Sequence, residues 1–201
     1  HPTLVRGGAE SPDDERPLGG ARVDGAGDSV RFLVSAFDRR DGHLVWEYEL
    51  AAEGDQPQAH QKHNMASPSA VSDGERVYAW FATGQLVALD LAGELVWQRH
   101  LGRDHGSYEI VWGHSSSPVL YRDLIILQSD HENGAYILAL DRHSGQPRWK
   151  ADRGPALRSF STPLVVAGPN GDELVVNANA GLDGYDPSTG EWLWHADGHN
   201  E

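Results

Sequence analysis

The stretch Ala139-Leu-Asp141-Arg-His-Ser144-Gly145-Gln-Pro-Arg-Trp149 is one of four copies of a single short pattern. The others are Ala36-Phe-Asp38-Arg-Arg-Asp41-Gly42-His-Leu-Val-Trp46, Ala88-Leu-Asp90-Leu-Ala-Gly93-Glu-Leu-Val-Trp97 and Gly184-Tyr-Asp186-Pro-Ser-Thr189-Gly190-Glu-Trp-Leu-Trp194. Their tryptophans fall 51, 52 and 45 residues apart, so one supersecondary unit recurs along the 201 residues. An aspartate ending a strand can accept backbone N–H bonds, and the glycine three or four residues on can take positive φ, so each copy reads as strand, tight turn, strand. Strand alternation puts Leu44 with Trp46, Leu95 with Trp97 and Trp192 with Trp194 on one face. Each indole is expected to bury on the order of 200 Å2 against a neighbouring sheet. Two positions before each aspartate stands Ala36, Ala88, Ala139 or Gly184, expected where an adjoining sheet approaches closely.

Working outward, three of the units open with a hydroxyl residue and proline: Ser67-Pro68, Ser117-Pro118 and Thr162-Pro163. The prolines precede Asp90, Asp141 and Asp186 by 22, 23 and 23 residues, a nearly constant phase. Each unit then holds a short strand after the proline, a second strand, the strand ending at the aspartate and the strand carrying the tryptophan. The second strands are Arg76-Val-Tyr-Ala-Trp-Phe81, Leu124-Ile-Ile-Leu-Gln128 and Glu173-Leu-Val-Val-Asn177. Four short antiparallel strands per repeat make a propeller blade. The expected fold is therefore an all-β propeller with about four blades, at about 29–58, 64–110, 114–156 and 159–201, the first incomplete. Residues 1–28, with two Gly-Gly pairs and three prolines, read as loop, partly disordered, with order beginning near Val30.

Composition removes several function classes. Sixteen basic against 30 acidic residues give a formal charge of −14, which repels nucleic acid and anionic lipid surfaces. With no cysteine, thiol nucleophiles, zinc ribbons and disulfides are excluded. No apolar run approaches the roughly 18–20 residues that span a bilayer as a helix, so direct membrane insertion is not expected. The chain opens His1-Pro2-Thr3-Leu4, without methionine or a signal-like segment, and is read as an excerpt of a longer protein.

The pattern Ala-x-Asp-x-x-(Ser/Thr)-Gly-x-x-x-Trp resembles the tryptophan-docking repeat of the pyrroloquinoline-quinone-like (PQQ-like) propellers, over about residues 30–198. That superfamily includes quinoprotein alcohol dehydrogenases and the propeller lipoprotein of the bacterial outer-membrane β-barrel assembly machinery. His60-Gln-Lys62-His63-Asn-Met-Ala-Ser-Pro68, Ser116-Ser-Pro-Val-Leu120 and Ser161-Thr-Pro-Leu-Val165 also resemble bacterial exported PQQ-binding-like repeat proteins. WD repeats would place aspartate directly after tryptophan, where Glu47, Gln98, Lys150 and His195 stand, and kelch repeats would carry a double glycine in each blade. The resemblance implies a ring of seven or eight blades of which this chain holds part, a periplasmic or extracellular location, and protein or peptide partners. Because each blade buries its face only against its neighbours, a partial ring with apolar faces open at both ends is expected to self-associate, by aggregation or dimerisation, or to need its missing half.

Residues that recur hold the scaffold: Asp38, Gly42, Trp46; Asp90, Gly93, Trp97; Asp141, Gly145, Trp149; Asp186, Gly190, Trp194. Function is expected where the copies differ, just before each proline-marked strand. His63-Asn64, Gly113-His114 and Arg158-Ser159 stand there, and with His60 and Lys62 they form the candidate ligand-binding set at a channel mouth. No catalytic residue and no metal site are expected, because the repeated aspartates are turn caps and no HExxH-type pair occurs. A PQQ dehydrogenase, as the resemblance implies, needs calcium held by carboxylate and amide oxygens, an aspartate base and a stacking tryptophan. No cofactor is expected in this segment; the alternative is a PQQ- or metal-dependent oxidoreductase whose catalytic residues lie outside it. A weaker reading, carbohydrate binding, rests on Trp80, Tyr108 and Trp112. His131-Glu-Asn-Gly134 and Asp104-His105 read as surface turns, and Gly168-Pro-Asn-Gly-Asp172 as a hairpin loop.

Overall fold

The computed structural model describes residues 4–5, 20–24, 29–54, 65–106, 114–131, 134–154, 159–178 and 181–197. The chain divides into two compact units. In the first, β1 (Leu4–Val5), β2 (Gly20–Asp24), β3 (Ser29–Phe37) and β4 (Leu44–Ala51) form one antiparallel sheet. Strands β5 (Val71–Ser72), β6 (Arg76–Trp80), β7 (Gln85–Asp90) and β8 (Leu95–His100) form another, followed by the short helix α1 (Leu101–His105). The second unit holds the sheet of β9 (Val119–Tyr121), β10 (Leu124–Ser129), β11 (Ala135–Asp141) and β12 (Pro147–Gly154). Its other sheet is β13 (Leu164–Gly168), β14 (Gly171–Ala178), β15 (Gly181–Tyr185) and β16 (Trp192–Ala196). The all-β expectation of four-stranded antiparallel sheets is met, and Asp104 and His105 belong to α1 rather than to a turn.

The N-terminal segment contributes strands where a loop was expected. β2 pairs with Ser29–Leu33 and β1 with Ala36–Phe37, while β4 pairs along Arg31–Phe37. β1 and β2 therefore share the edge of β3 opposite β4, end to end, and the first sheet is three strands wide. The physical reason is the length of β3: its unpaired edge would present a row of N–H and C=O groups, which even a Gly- and Asp-bearing segment can satisfy through its backbone.

A second departure concerns the faces of the tryptophan strands. Ala36 pairs with Trp46 but Phe37 with Leu44; Ala88 with Trp97 but Leu89 with Leu95; Ala139 with Trp149 but Leu140 with Pro147; Gly184 with Trp194 but Tyr185 with Trp192. One extra residue thus stands between each pair, a β-bulge in every repeat. It breaks the period of two, so Leu44 and Trp46, Leu95 and Trp97, and Trp192 and Trp194 lie on opposite faces. The bulge leaves Leu44, Val45, Leu95, Val96, Trp192 and Leu193 exposed. It also reassigns the small residues, which face the indole of their own sheet: a Cβ built on Gly184 would overlap the Trp194 ring.

Each unit has its own core between its two sheets. In the first, Val30, Phe32, Val34, Val77, Ala79, Phe81, Val87 and Leu89 pack with Trp46, Tyr48 and Leu50. Phe32 and Phe81 stack with centroids 4.3 Å apart. In the second, Leu124, Ile126, Ile137, Ala139, Leu174, Val176 and Tyr185 pack with Trp149.

Candidate functional site

The repeated turns are built by one hydrogen-bond frame. The Asp141 carboxylate accepts from the backbone N–H of His143 and Ser144, Asp186 from Ser188 and Thr189, Asp90 from Ala92 and Glu94, and Asp38 from Arg40. The glycines close the turns at φ of +76, +86, +69 and +75 for Gly42, Gly93, Gly145 and Gly190. The Arg40 guanidinium on Asp38 holds that carboxyl well below the usual range. All four repeated carboxylates are thereby engaged in their own turns.

Within each unit an indole seats on the next sheet's turn. Trp46 Nε1 donates to the Leu91 carbonyl at 2.9 Å, and Trp149 Nε1 to the Pro187 carbonyl at 3.2 Å. The ring lies so close over the repeat glycine that a Cβ at Gly93 would stand 2.7 Å from Trp46, and one at Gly190 would overlap Trp149. These glycines are required twice, by positive φ and by the indole. Trp97 lies against Tyr78, centroids 5.9 Å apart. The Trp194 indole N–H goes instead to Glu173 in its own sheet, at 2.8 Å.

Of the candidate binding residues, His60, Lys62, His63, Asn64 and Arg158 lie outside the described residues. His114 is buried, with Nε2 3.2 Å from the Ser116 carbonyl. Ser159 is also buried; its Oγ donates to the Asn177 carbonyl at 2.5 Å and accepts from Ser161 N. Each precedes the first strand of its sheet, β9 or β13, and neither presents itself at a surface. Trp80 is 1% exposed, which removes it as a sugar platform, and Tyr108 and Trp112 fall outside the described residues. His131, expected on a surface turn, is buried edge-on to Tyr136.

Sequence reading missed a buried ionic seam in the second unit. Arg153 Nε donates to Asp130 at 2.9 Å with both side chains at most 1% exposed. The same guanidinium reaches Asp183 at 3.1 Å and the Tyr185 hydroxyl at 3.0 Å, and Gln128 Nε2 donates to Asp130 at 2.7 Å. Burial pushes the Asp130 carboxyl up, opposed by Arg153 and Gln128. Asp183 also holds His195 Nδ1 at 2.8 Å, while Asp197 holds Nε2 at 3.0 Å. Arg153 stands four residues after its tryptophan, where the first unit has Leu50, and Asp183 stands where it has Val87. A charge at a position that is apolar in another copy was the available signal.

The second unit also carries a cleft of about 440 Å3 lined by Tyr121, Arg122, Asp172, Glu173, Asp186 and Trp194, among others. Tyr121 OH donates to Asp172 at 3.0 Å, and the Arg122 guanidinium lies 4.9 Å above the Tyr121 ring. Three carboxylates face one guanidinium there, so the cleft favours cationic or hydrogen-bond-donating groups. Among the described residues no three carboxylate or imidazole groups stand together as a metal ligand set, and Asp130 is turned onto Arg153 and Gln128. The described residues therefore do not fit PQQ with its calcium.

Comparison with known proteins agrees with this architecture. The model of a family described as outer membrane protein assembly factor BamB matches residues 31–199. Among solved structures, quinohemoprotein alcohol dehydrogenase from Comamonas testosteroni superposes with a TM-score of 0.59 at 16% identity, covering 84% of this chain and 33% of that one. BamB from Moraxella catarrhalis gives 0.56 at 24% identity, covering 89% and 49%. A europium-containing methanol dehydrogenase gives 0.56 at 13% identity, covering 86% and 40%. At these identities the likeness shows the fold, a PQQ-like β-propeller, of which the chain spans a third to about half of each structure's length. No curated protein matches the sequence.

Proposed function

We infer a function from one premise: the chain belongs to the family of the outer membrane protein assembly factor BamB. On that premise the chain is a binding or assembly scaffold within an exported bacterial protein, working in the periplasm on a protein or peptide partner, and not a catalyst. The observation that carries this reading is the engagement of the carboxylates. The four repeated aspartates cap their own turns, and the buried Asp130 is tied to Arg153 and Gln128. The family description supports a protein partner, and no helix among the described residues is long and apolar enough to cross a membrane.

Partner contact is assigned to the stretches of sequence that differ between copies, carrying His60, Lys62, His63, Asn64 and Arg158. A photo-crosslinking residue at His63 or Arg158, in cells exporting the full-length protein, is expected to trap a second polypeptide; one at the exposed Asp123 on the β9–β10 turn is not. The competing oxidoreductase reading predicts quinone absorbance, bound metal and alcohol-dependent dye reduction by the same protein. Those three signals without an adduct would replace the scaffold reading.

A further inference from the structure

We propose that the first unit carries a binding site for a carboxylate, at one end of the seam between its two sheets. The second unit fills the corresponding place with its own Arg153, held by Asp183 and Tyr185. In the first unit Leu50 stands where Arg153 does, and Val87 and Leu89 stand where Asp183 and Tyr185 do. With no guanidinium to occupy it, this end of the seam keeps a hollow of about 100 Å3, lined by Leu50, Glu53, Val87, Gln98, Arg99 and Arg103, among others.

The hollow has a built frame. Gln85 and His100, both buried, clamp the chain where β4 ends. Glu53 N donates to Gln85 Oε1 at 2.8 Å, Gln85 Nε2 donates to the Ala51 carbonyl at 2.9 Å, and His100 Nε2 donates to the Glu53 carbonyl at 3.0 Å. His100 Nδ1 accepts from Arg103 N at 3.3 Å, which fixes the Nε2–H tautomer. A Cβ at Gly102 would stand 2.8 Å from the Thr83 carbonyl and 3.2 Å from the His100 ring, so glycine lets α1 close over the clamp. Buried polar side chains cost free energy unless bonded, and the repeat does not require these two: the second unit has Gly181 and Asp197 in their places.

Charge and size say what enters. Two guanidiniums, Arg99 and Arg103, and one carboxylate, Glu53, surround the hollow. Arg103 meets Glu53 at 3.1 Å and Arg99 meets Asp104 at 3.5 Å, weak pairs that a guest can replace. Arg99 Nε is buried and makes no hydrogen bond among the described residues, an N–H that a carboxylate oxygen would satisfy. A guest cation would instead find Val87 and Leu89 where Arg153 finds its acid and hydroxyl. The volume is about three water molecules' share of the liquid, well below the roughly 300 Å3 at which pockets for drug-sized ligands begin. It takes a carboxylate with its adjoining methylene on Leu50 and Val87, and excludes a sugar or a quinone. Such a group arrives on a free small acid or on an acidic side chain of a peptide. The site stands apart from the scaffold reading, whose crosslinks at His63 and Arg158 are indifferent to it.

The test is an NMR titration of the full-length protein, read at the Arg99 Nε–H, with sodium propionate and with acetyl-Gly-Glu-Gly-amide. Propionamide and the glutamine peptide are the neutral controls. Propionate is expected to shift the resonance saturably, and propionamide to leave it in place. Arg103→Gln, an exposed change, should weaken binding about fivefold, and Arg122→Gln in the second unit should leave it unchanged. Glu53→Gln removes the internal carboxylate that competes for Arg103 and should tighten binding about threefold, a gain that a damaged fold would not give. Binding of both acids assigns the site to an acidic side chain, and binding of propionate alone to a free small acid; each supports the proposal. An unmoved Arg99 resonance, an equal response to propionamide, or affinities indifferent to both Arg103→Gln and Glu53→Gln overturns it.

Discussion

Replacing Gly93 by alanine should be markedly more costly than the same change at Gly74, although both glycines have nearly equal φ, +86 and +89. At Gly74 only the backbone objects, because a Cβ meets nothing within 4 Å; left-handed backbone for an alanine costs about 1–2 kcal/mol. At Gly93 the methyl would lie 2.7 Å from the Trp46 ring, an overlap that real Cβ atoms do not sustain. The indole must shift, adding about 1–3 kcal/mol of overpacking. If the shift breaks the Trp46 bond to the Leu91 carbonyl, a further ~1 kcal/mol goes with it. The expected totals are about 1–2 kcal/mol for Gly74→Ala and about 2–5 kcal/mol for Gly93→Ala, rising to about 3–6 kcal/mol where the Trp46 bond is lost. Denaturant unfolding, read by amide exchange in β3–β8, measures both, and β9–β16 serve as the internal reference. A cycle with Trp46→Ala isolates the contact: without the indole, Gly93→Ala should cost no more than Gly74→Ala. Equal penalties at the two glycines in the presence of Trp46 would refute the idea that the indole seat holds the two sheets of the first unit together.

The ionic seam yields a second expectation. Arg153→Leu alone strands the buried Asp130 and should destabilise the second unit by about 3–5 kcal/mol, whereas Arg153→Leu with Asp130→Asn and Asp183→Val should recover most of that loss in the same unfolding assay. A third concerns pH. The hydrogen bonds from His195 to Asp183 and then Asp197 raise its pKa above 6.5, so its stabilising contribution is full below 6.5 and lost as pH rises through the folded value. Titration of the His195 ring by NMR should show a midpoint above 6.5, lowered by Asp197→Asn. A fourth concerns the second indole seat: Gly190→Ala should accelerate exchange in β9–β16 and leave β3–β8 unchanged.

The turns were legible because a repeat reports its own constraints: aspartate, positive-φ glycine and tryptophan recur at one phase, and each does in the fold what its chemistry suggests. The bulge was not, since a period of two is the only rule available within one strand. The extra residues Val45, Val96 and Leu193 show themselves only once Ala36, Ala88 and Gly184 have partners. The candidate binding set illustrates a different limit. His114 and Ser159 differ between copies, as contact residues would, yet they are buried and bonded to nearby backbone. Variation between repeats marks a changed environment, and a changed environment can lie inside the fold as well as at its surface.

The two units answer one packing problem in two ways, and the contrast bears on function. At the first seam Leu50, Val87 and Leu89 close the gap with apolar contact. At the second, Arg153, Asp183 and Tyr185 fill the corresponding positions, with Asp130 behind them. The first seam shows that this backbone packs well without charge, and a buried ion pair adds little stability over apolar residues of similar volume. What the ionic seam adds is selectivity. Asp130 holds Arg153 from within its own sheet, and across the seam the guanidinium meets Asp183 and the Tyr185 hydroxyl, so a neighbouring sheet lacking these would leave Arg153 without its partners there. Where two indoles make the same seat, Trp46 on the Leu91–Gly93 turn and Trp149 on the Pro187–Gly190 turn, charges at one seam and apolar contact at the other distinguish the two neighbours.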